Sequence, residues 1–318
     1  MIGALADPFE AILELGGEPL RAAMAGVETR LREITAVEQH SLATVAAGGK
    51  RLRPLLVFVA GLGSSAQEAL SRAAAAVELI HSATLVHDDV LDDAPLRRGR
   101  ETVFAAAGRR AATATGDLLF SSAFSELSRN GAVAQLRSLS AASAALARGE
   151  LMQRADAWSA DVTLERYLKR CELKTARLFA AAGELGALVA GGPPLAPFGH
   201  AVGLAFQLLD DVLDITGPAE RTGKRRGTDL LDGTVTLPLI LARQRSAELA
   251  ALDLRAISGA AEAEQICEAI EATGAADRAR EMALELVGRA KRELPAELPL
   301  HQRQALALIA DSLVDRYA

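Results

Sequence analysis

Residues 81–93 read His81-Ser82-Ala83-Thr84-Leu85-Val86-His87-Asp88-Asp89-Val90-Leu91-Asp92-Asp93. At about 100° per residue, His81, Asp88 and Asp92 fall in one narrow helical stripe, and Asp89 lies on its flank. Carboxylates one turn apart repel one another and weaken a helix unless a cation sits between them. Thr84, Leu85 and Val86 set these charges in an apolar context, where unpaired charge is expensive. The stretch therefore reads as a helix that carries its carboxylates for a cation rather than as a solvated face.

Working outward, this helix opens at Ser65-Ala66-Gln67-Glu68, which has the capping-box pattern, and is ended near Asp93 by Pro95. Before it, one long helix is expected over Glu18 to Ala47, stopped by Gly48-Gly49, and another from Arg53-Pro54. After it, helical periodicity predicts Thr102 to Arg129, Val133 to Trp158, Leu164 to Ala190, Pro197 to Ile215, Val235 to Ala250, Ala260 to Thr273, Ala275 to Arg292 and Leu298 to Ala318. No alternating strand pattern stands out. No linker is long or polar enough to mark a boundary, so residues 1–318 read as one all-α domain. Pro218 to Gly233 is the exception, a charged, glycine-bearing loop of the kind that often carries function.

The composition of the 318 residues agrees: 50% are hydrophobic, only 3% are aromatic, and helix formers dominate. The net charge of −6 has no basic run to offset it, which excludes a nucleic-acid surface. Anions must be handled locally, in a pocket. Cys171 and Cys267 lack metal-ligand spacing and read as small core residues, with the cytoplasm as the natural compartment. Met1 to Gly16 carries Asp7, Glu10 and Glu14 and lacks the pattern of a signal peptide. The longest apolar run, Pro54 to Gly63, is about half a membrane span, so no transmembrane segment is expected.

A second acidic cluster lies 122 residues after the first, in Phe206-Gln207-Leu208-Leu209-Asp210-Asp211-Val212-Leu213-Asp214. Gln207, Asp210, Asp211 and Asp214 share one helical face among apolar neighbours. Oxygen-only ligation selects hard cations, and sites that also take phosphate oxygens and water suit Mg²⁺. Cationic side chains accompany the clusters. Lys50 and Arg53 sit at a helix start, Arg97 and Arg98 follow Pro95, Lys174-Thr175 interrupts a helix-forming stretch, and Lys224 lies in Gly223-Lys224-Arg225-Arg226-Gly227. Carboxylates for metal together with cations for anions describe a polyphosphate site.

These residues give the chain its resemblance to the trans-isoprenyl diphosphate synthases, or polyprenyl synthetases. The matching segments are Gly48 to Pro54, Glu78 to Arg100, Gly149-Glu150 with Gln153, Lys174-Thr175, Phe206 to Asp214, Gly223-Lys224 with Gly227 and Asp229, and Thr236-Leu237-Pro238. The resemblance implies a single-domain antiparallel helix bundle around a deep central cavity, usually dimeric, of the long-chain type. It also implies that Asp88, Asp92, Asp210, Asp211 and Asp214 hold Mg²⁺, with Asp89 completing the first motif. Lys50, Arg53, His81 and Arg98 would bind isopentenyl diphosphate. Arg97, Lys174, Thr175, Gln207 and Lys224 would bind the allylic diphosphate, and Asp88, Asp89, Asp92, Asp210, Asp211, Lys174 and Lys224 form the expected catalytic set. One departure is Thr234, where the family often has lysine, which bears on affinity for the allylic substrate.

The reaction so implied is a head-to-tail 1′-4 condensation giving an all-trans polyprenyl diphosphate. Helix geometry places Thr84 and Val77 beneath the first cluster with Ile80 beside them, and in the family bulk at the positions of Ala83 and Thr84 stops growth early. Both are small here, so a product of twenty carbons or more is expected, a long chain ahead of geranylgeranyl diphosphate. A cytoplasmic homodimer fits, with transient membrane contact for product release left open. The competing readings are a non-catalytic partner subunit of a heteromeric synthase and a class I terpene cyclase. The repeated aspartate motif and the scarcity of aromatics disfavour the cyclase.

Overall fold

The computed structural model describes residues 8–46, 51–97, 99–159, 161–217 and 226–317. Lys50, Arg98 and Lys224 lie outside these residues. The helices are α1 (Pro8–Thr35), α2 (Gln39–Ala46), α3 (Leu52–Ala60), α4 (Gln67–Leu91), α5 (Val103–Ser128), α6 (Val133–Asp156) and α7 (Leu164–Cys171). A π-helical segment (Glu172–Ala176) follows, then α8 (Arg177–Ala190), α9 (Ala196–Thr216), α10 (Thr228–Leu231), α11 (Leu237–Arg243), α12 (Ala247–Ala250), a 3₁₀ turn (Leu254–Ala256), α13 (Ala260–Ala272), α14 (Ala275–Arg292) and α15 (Leu300–Tyr317). The chain is all-α; among the described residues the only strands form an antiparallel two-stranded ribbon, β1 (Leu96–Arg97) with β2 (Arg100–Glu101), which the sequence pattern does not announce because each strand has only two residues.

Two compact units are built from interleaved segments, so neither is a contiguous stretch of sequence. The first comprises 1–143, 178–199 and 294–309, and the second 144–177, 200–293 and 310–318. In the first unit α4 is the central element, packed against α1, α3 and most extensively α5. Ala73, Ala74, Ala75, Ala76, Val77, Leu79, Ile80 and Ala83 are all fully buried. An alanine run lets neighbouring helices approach closely, and burying Leu79 and Ile80 contributes about 1.5–3 kcal/mol each. α4 is also the one helix among the described residues long and apolar enough to cross a bilayer, but 67% of its apolar window is buried against protein.

Polar anchors fix the surroundings of α4. Arg51 stands at the N-terminus of α3 with a left-handed backbone (φ 48°) and is buried. It donates to Glu28 Oε1 at 2.5 Å and to Glu78 Oε1 at 2.6 Å, so α1 and α4 both hold the turn that leads into α3. Arg30 pairs with Glu126 and with Glu68 in the same way. In the second unit, Arg226 pairs with Glu271 at 2.7 Å and Lys291 with Asp311 at 2.8 Å.

Several expected boundaries move. The long first helix is two helices, broken between Thr35 and Gln39, where Glu38 accepts from the backbone N–H groups of His40 and Ser41 and so caps α2. The capping box at Ser65 does not form: α4 begins at Gln67 with Ala66 as its cap, and Ser64 supplies the local bonds. Leu164 to Ala190 is interrupted by the π segment, and Val235 to Ala250 divides into α11 and α12 at Ser246, which caps the second of them. The loop Pro218 to Gly233 contains α10. Cys171 and Cys267 are buried free thiols, as expected of core residues.

Candidate active site

The first cluster sits at the C-terminal end of α4. Asp88 and Asp89 belong to its last turn, Asp92 is its C-cap with its N–H donating to the Asp88 carbonyl at 2.9 Å, and Asp93 turns the chain with φ 47°. A helix C-terminus already carries partial negative charge, so carboxylates gathered there need a cation. Asp89 is buried and accepts from Arg97 Nε at 2.7 Å. Its carboxyl is pushed up by burial and by Asp92, with Arg97 opposing the rise. Asp93 accepts from Arg109 at 2.6 Å. Asp88 is half-buried and Asp92 exposed. Arg97, expected to bind the allylic substrate, is therefore brought onto the cluster through Asp89 by the β1–β2 ribbon.

Elsewhere in the first unit, the guanidinium of Arg53 lies 4.4 Å from the centroid of the Phe179 ring. His81 is half-buried, and its carbonyl accepts the Thr84 hydroxyl at 2.7 Å. Val77, Ile80 and Ala83 are fully buried, while Thr84 is half-buried.

The second cluster lies on the last two turns of α9. Asp211 is buried and both of its oxygens are engaged: Tyr167 Oη donates to Oδ2 at 2.6 Å and Gln207 Nε2 to Oδ1 at 2.8 Å. Gln207 Oε1 in turn accepts from the Thr175 hydroxyl at 2.7 Å. Burial pushes the Asp211 carboxyl up to about 6; Asp210 adds to the rise, and the two hydrogen bonds and Arg170 oppose it. Asp210 and Asp214 are half-buried. Asp214 Oδ2 accepts the Asp229 backbone N–H at 3.1 Å, and its carbonyl accepts from Gly227, so the start of α10 folds back on this carboxylate.

Thr175 and Lys174 belong to the π segment. A π turn inserts an extra residue into the helical ladder and is common where side chains must be re-aimed for function. It is seated against α6 at Gly149, where a Cβ would lie 2.6 Å from the Lys174 backbone nitrogen, so only glycine fits there. One residue on, Glu150 pairs with Lys174 through Oε2 and accepts from Arg154 Nε at 2.9 Å through Oε1. The structure thus gathers Lys174, Thr175, Gln207, Asp210, Asp211 and Asp214 within the second unit. Tyr167 and Arg154 escape the sequence reading, and Glu150 enters it only as part of a motif. The usable signals are Gln207 four residues before Asp211 and Tyr167 two turns before Lys174.

Among the described residues no group of three or more His, Cys, Asp or Glu side chains forms a metal cage. The donors are nonetheless of the right kind for Mg²⁺, which keeps several waters and takes one or two carboxylates plus substrate phosphates rather than an all-protein cage.

A polyprenyl synthetase family model matches residues 34–273, a span containing every expected site residue. A heptaprenyl diphosphate synthase component 2 of Geobacillus stearothermophilus is 44% identical over 230 residues, 69% of this chain and 72% of the relative. An octaprenyl diphosphate synthase of Escherichia coli is 33% identical, covering 97% of this chain and 99% of its own. Among solved structures, a polyprenyl synthase from Caulobacter crescentus, complexed with calcium and isoprenyl diphosphate, matches with a TM-score of 0.86 and 35% identity over 98% of both chains.

Proposed function

The chain belongs to the polyprenyl synthetase family, and from that premise we propose that it is a Mg²⁺-dependent trans-prenyltransferase acting as one catalytic domain over residues 1–318. It condenses isopentenyl diphosphate with an allylic diphosphate to give a polyprenyl diphosphate of twenty carbons or more. The observation that carries this reading is the pair of helix-borne carboxylate clusters, each tied by charged or polar side chains to residues expected to bind diphosphate: Asp89 to Arg97, and Asp211 through Gln207 to Thr175.

In the reaction the allylic carbon–oxygen bond breaks with its electron pair leaving on diphosphate, the double bond of isopentenyl diphosphate attacks the allylic cation, and the released pyrophosphate takes up the proton lost from the condensed cation. Asp88, Asp92, Asp210, Asp211 and Asp214 would hold Mg²⁺, which when bound supplies positive charge against the leaving diphosphate. Arg97, Lys174 and Lys224 add positive charge for the same group. Asp211 holds Gln207 and thereby Thr175 in register. Lys50, Arg53, His81 and Arg98 bind isopentenyl diphosphate. Preorganised charge of this kind acts without reorganisation cost when the bond ionises.

The calcium and isoprenyl diphosphate in the Caulobacter crescentus structure support a divalent ion and a diphosphate as ligands. A cytoplasmic homodimer, with transient membrane contact to unload product, completes the proposal. Incubation of the purified protein with farnesyl diphosphate, isopentenyl diphosphate and Mg²⁺, followed by chain-length analysis, tests it. Products of twenty carbons or more are expected, and accumulation of a fifteen-carbon product alone refutes the length assignment. The relative named as a component 2 favours a second reading, an active chain that needs a partner subunit. Turnover by the chain alone decides against it.

A further inference from the structure

Glu150 stands between two cations, Lys174 on its Oε2 and Arg154 on its Oε1. The carboxylate is the least exposed of the three, at 14% against 27% for Lys174 and 38% for Arg154. The Lys174 backbone is pinned in the π segment by Gly149, but its four-carbon stem can swing the ammonium from one partner to another. A largely buried carboxylate gives up its only counter-ion at high cost. Glu150 is spared that cost because Arg154, one helical turn further on, remains with it. Burial would push the Glu150 carboxyl up, yet Lys174 and Arg154 outweigh it and hold the group below the usual glutamate range. It therefore stays ionised and competes continuously for the ammonium.

We propose that Glu150 is an exchangeable counter-ion for Lys174: it yields the ammonium to the diphosphate of the allylic substrate and recaptures it as pyrophosphate leaves, while Arg154 holds the Glu150 charge in the interval. The identity of the ligand rests on the prenyl-transfer reading; the exchange itself rests on the three side chains. Two substitutions then act with opposite signs. Glu150→Gln removes the competitor and tightens diphosphate binding. Arg154→Met leaves Lys174 as the partner Glu150 must keep, and weakens it. A purely structural role for the cluster would weaken binding in both.

The test is calorimetric titration of inorganic pyrophosphate, with Mg²⁺ present, into the full-length wild type and both variants, with circular dichroism as the check on folding. The dissociation constant is expected to fall about tenfold in Glu150→Gln and to rise several-fold in Arg154→Met, with KM for the allylic diphosphate moving the same way. A folded Glu150→Gln protein whose affinity is unchanged or weaker overturns the proposal. So does unchanged or tighter binding by Arg154→Met, which decides alone if the first variant does not fold. Wild type that binds pyrophosphate with this pattern yet transfers no prenyl group removes the functional reading and leaves the exchange standing.

Discussion

The hydroxyl of Tyr167 donates to Asp211 Oδ2 across 2.6 Å in a buried position. Tyr167 is itself completely buried, and burial together with the neighbouring carboxylate raises its phenol pKa well above the ordinary value, so it remains a donor across the whole working range of pH. With Gln207 on the other oxygen, the carboxylate is locked in one orientation.

Tyr167→Phe takes from that buried carboxylate the hydrogen bond on Oδ2 and leaves it the one from Gln207 on Oδ1. A loss of about 1–3 kcal/mol in stability is expected at pH 8, measured by urea unfolding. Because Gln207 and Thr175 take their register from Asp211, KM for the allylic diphosphate should rise as well. Unchanged stability and unchanged KM together would mean that the hydrogen bond is idle.

Asp211 also gives a pH signature in protein kept free of metal by chelator. Its folded-state value of about 6 lies above the ordinary aspartate value of 3.8, so the native state favours the neutral acid. The resulting stabilisation is fully present below the unfolded value and is lost as pH rises through about 6. Asp211→Asn lacks this titration. Relative to wild type, the variant should gain up to about 2–3 kcal/mol between pH 4 and pH 7, read from urea unfolding at several pH values. A constant difference across that range would contradict the assignment.

Asp88→Ala and Asp210→Ala each remove one carboxylate from a different cluster. Turnover is expected to fall at least about 10²–10³-fold in either variant, with a shifted Mg²⁺ dependence and a retained circular dichroism spectrum. Loss in one variant but not the other would leave only one cluster in the catalytic role.

Chain length is best probed at Thr84. Ala83 has no exposed surface, so Ala83→Phe overpacks the first unit at a cost of about 1–3 kcal/mol before any effect on product. Thr84 is half-buried and spends its hydroxyl on its own helix, so Thr84→Phe adds bulk with less strain. Both should shorten the product, as resolved by chain-length analysis, and unaltered product from folded Thr84→Phe rules this position out as a floor.

Gly149→Ala puts a methyl group 2.6 Å from the Lys174 nitrogen. Either α6 or the π segment must shift, at about 1–3 kcal/mol. The melting temperature and kcat should fall together, since the displaced backbone carries both Lys174 and Thr175. A fall in melting temperature alone would separate the packing from the chemistry.

Much of this was legible in the sequence because helices write themselves in a 3.6-residue rhythm and because Asp88 with Asp92, and Gln207 with Asp211, sit at helical spacings. α14 coincides with its expected span, and α5, α6, α9 and α13 fall within two residues of theirs. What escaped has no such rhythm. A π turn needs no special residue type, so Lys174-Thr175 marks an interruption but not its geometry. The Ser65 pattern loses to Ser64, whose bonds are equally local. Partners such as Tyr167 for Asp211 or Glu28 and Glu78 for Arg51 are 23 to 44 residues apart and meet only through tertiary packing.

During synthesis α4 leaves the ribosome before α5, the helix that covers it most extensively. For that interval a 25-residue segment with the apolarity of a bilayer span has its principal cover still unmade. The newborn chain is therefore open there to premature self-association until α5 closes over it. Yield in a foreign host should depend on the pace of translation and on chaperone supply around this point more than on the finished protein's stability.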